Sequence, residues 1–128
     1  METNVRARFV LFSEGKIEQD KISQQLDLLP TREGVNMKVE PAEAFWELAI
    51  DTKITFYTEE VTNELLTLLE GKETVLLKLK NEFALKSKLY IVPVAENKIL
   101  PSIDINKRLL RFLYLTDTAL DIDLYVNW

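Results

Sequence analysis

Residues 58–83, TEEVTNELLTLLEGKETVLLKLKNEF, form the stretch that decides the fold. Its apolar residues recur at intervals of three, four or seven, which predicts a helix with one buried stripe: Val61, Leu65, Leu68 or Leu69, Val75 or Leu76, Leu79 and Phe83. Acids in the first turn and lysines near the end suit the helix dipole, and Thr58 is predicted to cap the first amides. Because Gly71 interrupts the stripe, we expect a kink or two short helices there.

The length and composition around this stretch predict one globular domain spanning residues 1–128. The chain has 128 residues, of which 47% are hydrophobic and 29% are charged. It contains no cysteine and no histidine, which excludes thiolate or imidazole zinc sites, cysteine nucleophiles and Ser-His-Asp triads. Its three glycines lie far apart, so no phosphate-binding or dinucleotide loop can be written. We therefore expect no cofactor.

The charge balance indicates which partners to expect. Sixteen basic and 21 acidic residues give a net charge of −5, which disfavours nucleic acid and suits a basic protein partner. The first residues lack the pattern of a signal peptide, and no apolar run approaches the ~20 residues that cross a bilayer. We therefore expect no membrane association and a cytoplasmic location.

The remaining segments predict four strands and two further helices. Apolar and polar residues alternate in four stretches, Val5–Phe12, Phe45–Ile50, Leu89–Val94 and Leu120–Val126. Helices are predicted over Glu18–Leu26 and from Ser102 or Asp104 onward, the latter with a stripe of Ile105, Leu109, Phe112 and Leu113. Alternation of this kind is typical of sheets covered on one side. The predicted fold class is thus α+β in two layers, with a mainly antiparallel sheet, helices on one face and a ferredoxin-like arrangement as one candidate topology.

Two features qualify this outline. Pro93, near the end of the third strand, predicts an edge strand or a strand terminus. The polar stretch 31–44 predicts a long loop that holds a short edge strand at Val35–Val39.

The last strand carries the first candidate site. Its alternation predicts Leu120, Ile122, Leu124 and Val126 inside, with Asp121, Asp123 and Tyr125 outside. Two carboxylates on one face suggest metal binding or acid–base chemistry, although the solvated side of a half-covered sheet explains them more simply. If the first and last strands pair antiparallel, Arg6 and Arg8 would oppose the two aspartates as ion pairs. In that arrangement Arg8→Ala should reduce stability modestly.

Several short segments resemble the uncharacterised bacterial family DUF4279. They are ARFVLF near the start, IEQDKISQQLDLLPTREG, FWELAI and the final DIDLYV, with the matching positions Leu26, Pro30, Thr31, Gly34, Trp46 and Asp123–Val126. The resemblance implies an α+β domain with no established activity. Because some members lie near bacterial toxin genes, it also implies an immunity protein.

Two further sets of residues are candidates for binding. Thr31, Arg32 and Gly34 predict an anion site in the loop, since arginine offers a planar fork of donors, although such loops are more often simple connections. Trp46 is a candidate stacking platform, with a core position favoured. The apolar arc of the last helix is wider than one packing face needs, which predicts a partner surface or a homodimer contact at Leu110, Tyr114 and Leu115.

The sequence leaves three functional hypotheses. The leading one is a non-enzymatic protein-interaction domain, in particular a toxin-neutralising immunity protein with a basic partner. The second is a small-ligand-binding or regulatory domain that uses the 31–44 loop. A metal-dependent enzyme built on Asp121 and Asp123 ranks last.

Overall fold

The computed structural model describes residues 1–128 and consists of six strands and four helices. In chain order the elements are β1 (Asn4–Ser13), α1 (Gln19–Leu26), β2 (Arg32–Asn36), β3 (Glu43–Ile54), α2 (Thr58–Leu69), α3 (Glu73–Phe83), β4 (Lys86–Glu96), α4 (Lys107–Thr116), β5 (Ala119–Ile122) and β6 (Tyr125–Asn127). None of the helices combines the length and the apolar character that a membrane span requires.

All strands belong to one sheet, in the order β2-β3-β1-β4-β5, with β6 also paired to β4. The three pairings β2–β3, β3–β1 and β1–β4 are antiparallel. This order, with α1 between β1 and β2 and with α2 and α3 between β3 and β4, has the strand order and pairing of a ferredoxin-like sheet. The segment from α4 to β6 extends it, because β5 and β6 both pair parallel to β4. The predicted α+β fold class is confirmed.

The four helices cover one face of this sheet. All four contribute to a single core cluster that also contains the alternate residues of the central strands, among them Phe9, Trp46 and Leu89, each with no exposed surface. The ring of Phe9 meets that of Phe112 of α4 edge to face, with 5.8 Å between centroids. Because alternate residues of a strand point to opposite sides, the other half of each strand faces away from every helix.

Residues 58–83 form two helices, α2 and α3, which is one of the two outcomes expected at Gly71. They meet at Gly71, whose φ of +86° is a backbone conformation that favours glycine. The predicted cap at Thr58 is wrong, because its buried hydroxyl accepts a hydrogen bond from the Asp104 amide instead (3.0 Å). The predicted start of the third helix is also too early: α4 is capped by the Asn106 side chain, which accepts from the Leu109 amide (2.9 Å).

The predicted last strand is wrong as a single element. It is divided into β5 and β6, and Ile122, Leu124 and Val126 are exposed rather than inside. Pro93 explains the division. The Ile91 carbonyl accepts from the Asp123 amide, so the odd residues of β4 turn their backbone groups towards β5 and β6. Since Pro93 has no N–H, the ladder loses a donor where the edge strand is interrupted.

Two further strand predictions require correction. β1 does not pair with the last strand, because β4 lies between them, and Pro93 lies within β4 rather than at a sheet edge or a strand end. The stretch 31–44 is mainly a hairpin and not a long loop. Its edge strand exists, but as Arg32–Asn36 instead of Val35–Val39, paired with the first residues of β3.

Candidate functional site

The helix-free face of the sheet, here called the open face, is the candidate functional site. Residues opposed in register share a face, so the pairings define its composition row by row. The rows run Gly34–Phe45–Phe12–Lys86, then Arg32–Glu47–Val10–Lys88–Ala119, then Ala49–Arg8–Tyr90–Asp121. The open face therefore carries cationic, anionic, aromatic and small apolar residues from five strands, and no helix covers it.

A shallow groove of about 730 Å³ crosses this face beside the β2–β3 hairpin. Its apolar floor is formed by Val10, Phe12 and Phe45. The charged groups that line it come from β1, β2, β3 and the hairpin turn: Arg8, Arg32, Glu33, Lys38, Glu43 and Glu47. An apolar floor with a few convergent polar groups is typical of binding sites.

Arg8 lies at the centre of the open face and contacts two neighbours. Its guanidinium carbon lies 4.1 Å from the centroid of the Tyr90 ring, and its Nε lies 3.4 Å from a carboxylate oxygen of Glu47. The Arg8 side chain remains 36% exposed, whereas that of Glu47 is only 11% exposed. The Arg8–Glu47 distance exceeds the roughly 2.9 Å that is usual for N–H···O hydrogen bonds, so the buried carboxylate is paired loosely.

Arg32 flanks the same carboxylate from the other side. It is the cross-strand neighbour of Glu47 in the β2–β3 pair, and its guanidinium carbon lies 5.5 Å from the centroid of the Phe45 ring. Gly34, two residues further along β2, faces Phe45, and a Cβ at that position would come within 3.8 Å of the ring. The predicted binding residues Arg32 and Gly34 thus line the groove.

The other two predicted binding residues do not reach it. Trp46 is fully buried on the helix-covered face and donates its indole N–H to the Ser23 hydroxyl (2.9 Å), so its role as a stacking platform is wrong and the core position is confirmed. The Thr31 hydroxyl accepts from the Ala49 amide (2.9 Å), and its own amide donates to the Glu47 carbonyl (2.7 Å). Thr31 therefore fixes the start of the hairpin.

Asp121 and Asp123 lie at the β5–β6 edge and have separate partners. Asp121 forms an ion pair with Lys88 (3.7 Å), and Asp123 accepts a hydrogen bond from the Tyr125 hydroxyl (2.9 Å). That hydrogen bond and the charge of Asp123 raise the pKa of Tyr125, while Arg6 and Arg8 lower it by a smaller amount. No group of three or more carboxylates converges to hold a metal ion anywhere in the chain. The ion pairs predicted between these aspartates and the arginines of β1 do not form.

The predicted partner surface on α4 lies on the helix side of the molecule, away from the groove. Tyr114 is 85% exposed and Leu110 is 52% exposed, while Leu115 is partly buried. Nearby, Arg108 forms hydrogen bonds from both Nε and Nη2 to the Glu70 carboxylate (2.9 and 2.6 Å). This pair ties α4 to α2.

Three important residues of the open face were missing from the candidate sites: Phe45, Glu47 and Tyr90. The alternation of FWELAI already predicted Phe45 and Glu47 on the side opposite Trp46, as the structure confirms. The alternation within one strand could not predict which strands lie beside it. Arg8 and Tyr90 come from β1 and β4, so their position beside Glu47 was not predictable.

The fold and the groove together define an α+β domain with a one-sided helical layer and an open, charged and aromatic sheet face. The family model of DUF4279, a domain of unknown function, matches residues 2–127, so the chain belongs to that family. No curated protein and no solved structure matches the chain significantly.

Proposed function

We propose that this chain is a non-enzymatic protein-interaction domain that binds its partner on the open face of the sheet. The observation that carries the proposal is the Arg8–Glu47–Tyr90 cluster beside an uncovered groove. Arginine and tyrosine are enriched at the energetically dominant positions of protein interfaces. The cluster lies outside the helix-covered core, on a face that no helix covers.

A toxin-neutralising immunity protein is the specific form of this function that the family resemblance implies. The net charge of −5 supports it, because an acidic protein attracts a basic partner at long range. The groove itself is lined by both cationic and anionic side chains. The net charge of the chain would therefore govern long-range attraction of the partner, and the local charges of the groove would govern the contacts in the complex.

The test compares two charge-reversed variants as bait for a stoichiometric partner in lysate of the source cells. In the open-face variant Lys88 and Arg32 are replaced by glutamate, and in the control variant the exposed helix-side Lys78 and Arg111 are replaced. Both variants acquire the same net charge. A polypeptide retained by wild type and by the control but lost from the open-face variant supports the proposal. The captured polypeptide is then purified, and the same ranking must hold in calorimetric titration.

Retention by the open-face variant and loss from the control would instead assign binding to the helix side, including Leu110 and Tyr114. A captured partner that is basic and inhibits growth when expressed alone would support the immunity role.

The second candidate function is small-ligand binding under the hairpin. The groove volume of about 730 Å³ supports it, since small-molecule sites commonly enclose about 300–1,000 Å³. A melting screen with small organic acids and bases tests it. A ligand that raises Tm in wild type but not in Arg32→Gln would favour this candidate.

A further inference from the structure

We propose that Arg8 and Arg32 form a carboxylate-binding site in the groove, and that its occupant is an acidic segment of a partner protein. This inference rests on the proposed function and names the chemistry of the contact. It depends on three features of the two arginines: their charge balance, their unused donors and their contacts with aromatic rings.

The charge balance between the strands favours an anion. Arg8 contacts Glu47 from β1 at 3.4 Å, and Arg32 is the neighbour of Glu47 from β2. Two arginines therefore flank one carboxylate, and only Arg8 is within ion-pair distance of it. The other cation of this row, Lys88, is occupied by Asp121 at the opposite edge. Glu43 and Lys38 lie at the hairpin end of the groove and offset each other. Glu33 is opposed to the buried Trp46, so its side chain lies on the side of α1 and not beside the two arginines. A second carboxylate between the two arginines would balance the charge.

The terminal nitrogens of both arginines are unused. The closest approach of Arg8 to Glu47 is through Nε, Arg8 forms no hydrogen bond, and Arg32 forms neither an ion pair nor a hydrogen bond. The helix-side Arg108 is different, because it uses Nε and Nη2 on the carboxylate of Glu70. Free Nη groups present the planar pair of donors that a carboxylate accepts bidentately.

Each guanidinium group lies against an aromatic ring before any ligand binds, Arg8 more closely than Arg32. Tyr90 supports Arg8 at 4.1 Å and Phe45 supports Arg32 at 5.5 Å. Stacking restricts the side chains without consuming their hydrogen-bond donors, which lowers the entropic cost of binding.

The shape of the groove favours a polypeptide segment over a free small acid. The groove is open, and its apolar floor of Val10, Phe12 and Phe45 continues beyond the arginine pair. A small carboxylate would bind the arginines and leave this floor in water. A segment of chain covers the floor and presents its carboxylate at the same time.

The experiment is an NMR titration that observes the arginine Nε–Hε groups of the ¹⁵N-labelled protein at constant ionic strength. The probe is acetylated, amidated hexaglutamate, and the comparison probes are hexalysine and free glutamate. We expect hexaglutamate to shift the Arg8 and Arg32 signals saturably and to leave Arg111 unmoved. Free glutamate should bind at least about tenfold more weakly, because it cannot cover the floor.

Two variants test the assignment. Arg32→Gln removes an exposed guanidinium that forms no ion pair or hydrogen bond inside the chain, so the variant should fold normally. It should bind hexaglutamate about tenfold more weakly, which corresponds to the loss of a charge-assisted hydrogen bond. Arg6→Gln is the matched control on the same face, outside the groove lining, and should bind as wild type does. Arg8→Lys keeps the charge but loses the fork, and should weaken binding as well.

The proposal is overturned if hexaglutamate shifts neither arginine, if Arg32→Gln binds it unchanged, or if hexalysine shifts the Arg8 and Arg32 signals as strongly as hexaglutamate does. Equal affinity for free glutamate overturns the polypeptide occupant and favours a small-acid site. If these results occur while the open-face bait variant still loses its partner, only the carboxylate chemistry fails and the interaction surface stands.

Discussion

The two faces of the sheet consist of alternate residues of the same strands, yet they have opposite physical characters. On the helix-covered face Phe9, Trp46 and Leu89 have no exposed surface and pack against all four helices. On the open face their neighbours Arg8, Glu47 and Tyr90 form a partly exposed cluster of charged and aromatic groups. Burial of the first set accounts for the stability of the fold, which leaves the second set free for recognition.

The largest effect should follow a change on the helix-covered face. Trp46→Ala removes a fully buried ring and leaves the Ser23 hydroxyl without its donor, so it should reduce the free energy of unfolding by about 3–5 kcal/mol. Phe45→Ala, one residue away on the open face, is the control and should cost less than half as much. Urea denaturation measures both. Equal losses would show that the two faces do not differ in this way.

A smaller effect should follow a change in the open-face cluster. Arg8→Gln leaves the Glu47 carboxylate without its cation and removes the stacking on Tyr90, at a cost of about 1–2 kcal/mol, since Arg8 is partly exposed. Adding Glu47→Gln should recover part of this loss, because no unpaired charge is then buried. A double-mutant cycle by urea denaturation measures the coupling. Additive effects would mean that the loose ion pair contributes nothing.

A helix-layer change should alter stability without altering the groove. Asn106→Ala removes the cap of the Leu109 amide and should cost about 1 kcal/mol. Thermal melting should detect the loss, and hydrogen exchange should locate it in the first turn of α4. Hexaglutamate binding should be unchanged. A weaker affinity in this variant would indicate that the two faces are coupled.

The smallest effect should follow the loss of an ion pair on the helix side, and this effect should depend on pH. The hydrogen bond from Arg108 lowers the pKa of Glu70 below its ordinary 4.5. Its stabilisation is therefore complete above about pH 4.5 and is lost as pH falls through the lower folded-state pKa. Because the pair is exposed, Glu70→Gln should cost no more than about 0.5 kcal/mol at pH 7 and less than that at about pH 3. Urea denaturation at both pH values checks the difference, and a constant difference would contradict it.

The local elements were predictable because their signals are local. The alternation of VRARFVLF and FWELAI placed Phe9 and Trp46 on the covered side, and the interrupted stripe at Gly71 separated α2 from α3. Predictions that needed a distant partner were less successful. Thr58 satisfies the Asp104 amide instead of its own helix, and the last strand pairs with β4 instead of β1.

The candidate site was predictable only in part for the same reason. Arg32 and Gly34 were identified from the character of their segment, and they line the groove. Glu47 and Tyr90 carry no motif, and their importance arises from their position beside Arg8. Trp46 has the chemistry of a binding residue but is buried, because in this strand the tryptophan falls on the helix-covered side.

The sequence alone determined which residues of β1, of β3 and of the helices share a face, and it excluded the chemistry of cysteine and histidine. Both follow from side-chain identity and from backbone periods of 2 and 3.6 residues, which need no knowledge of the rest of the chain. Only the tertiary structure decided that β1 lies between β3 and β4, which brings Arg32, Glu47, Arg8 and Tyr90 together from four strands. Strand order depends on burial and chain closure over long separations, and the alternation within one strand does not encode its neighbour.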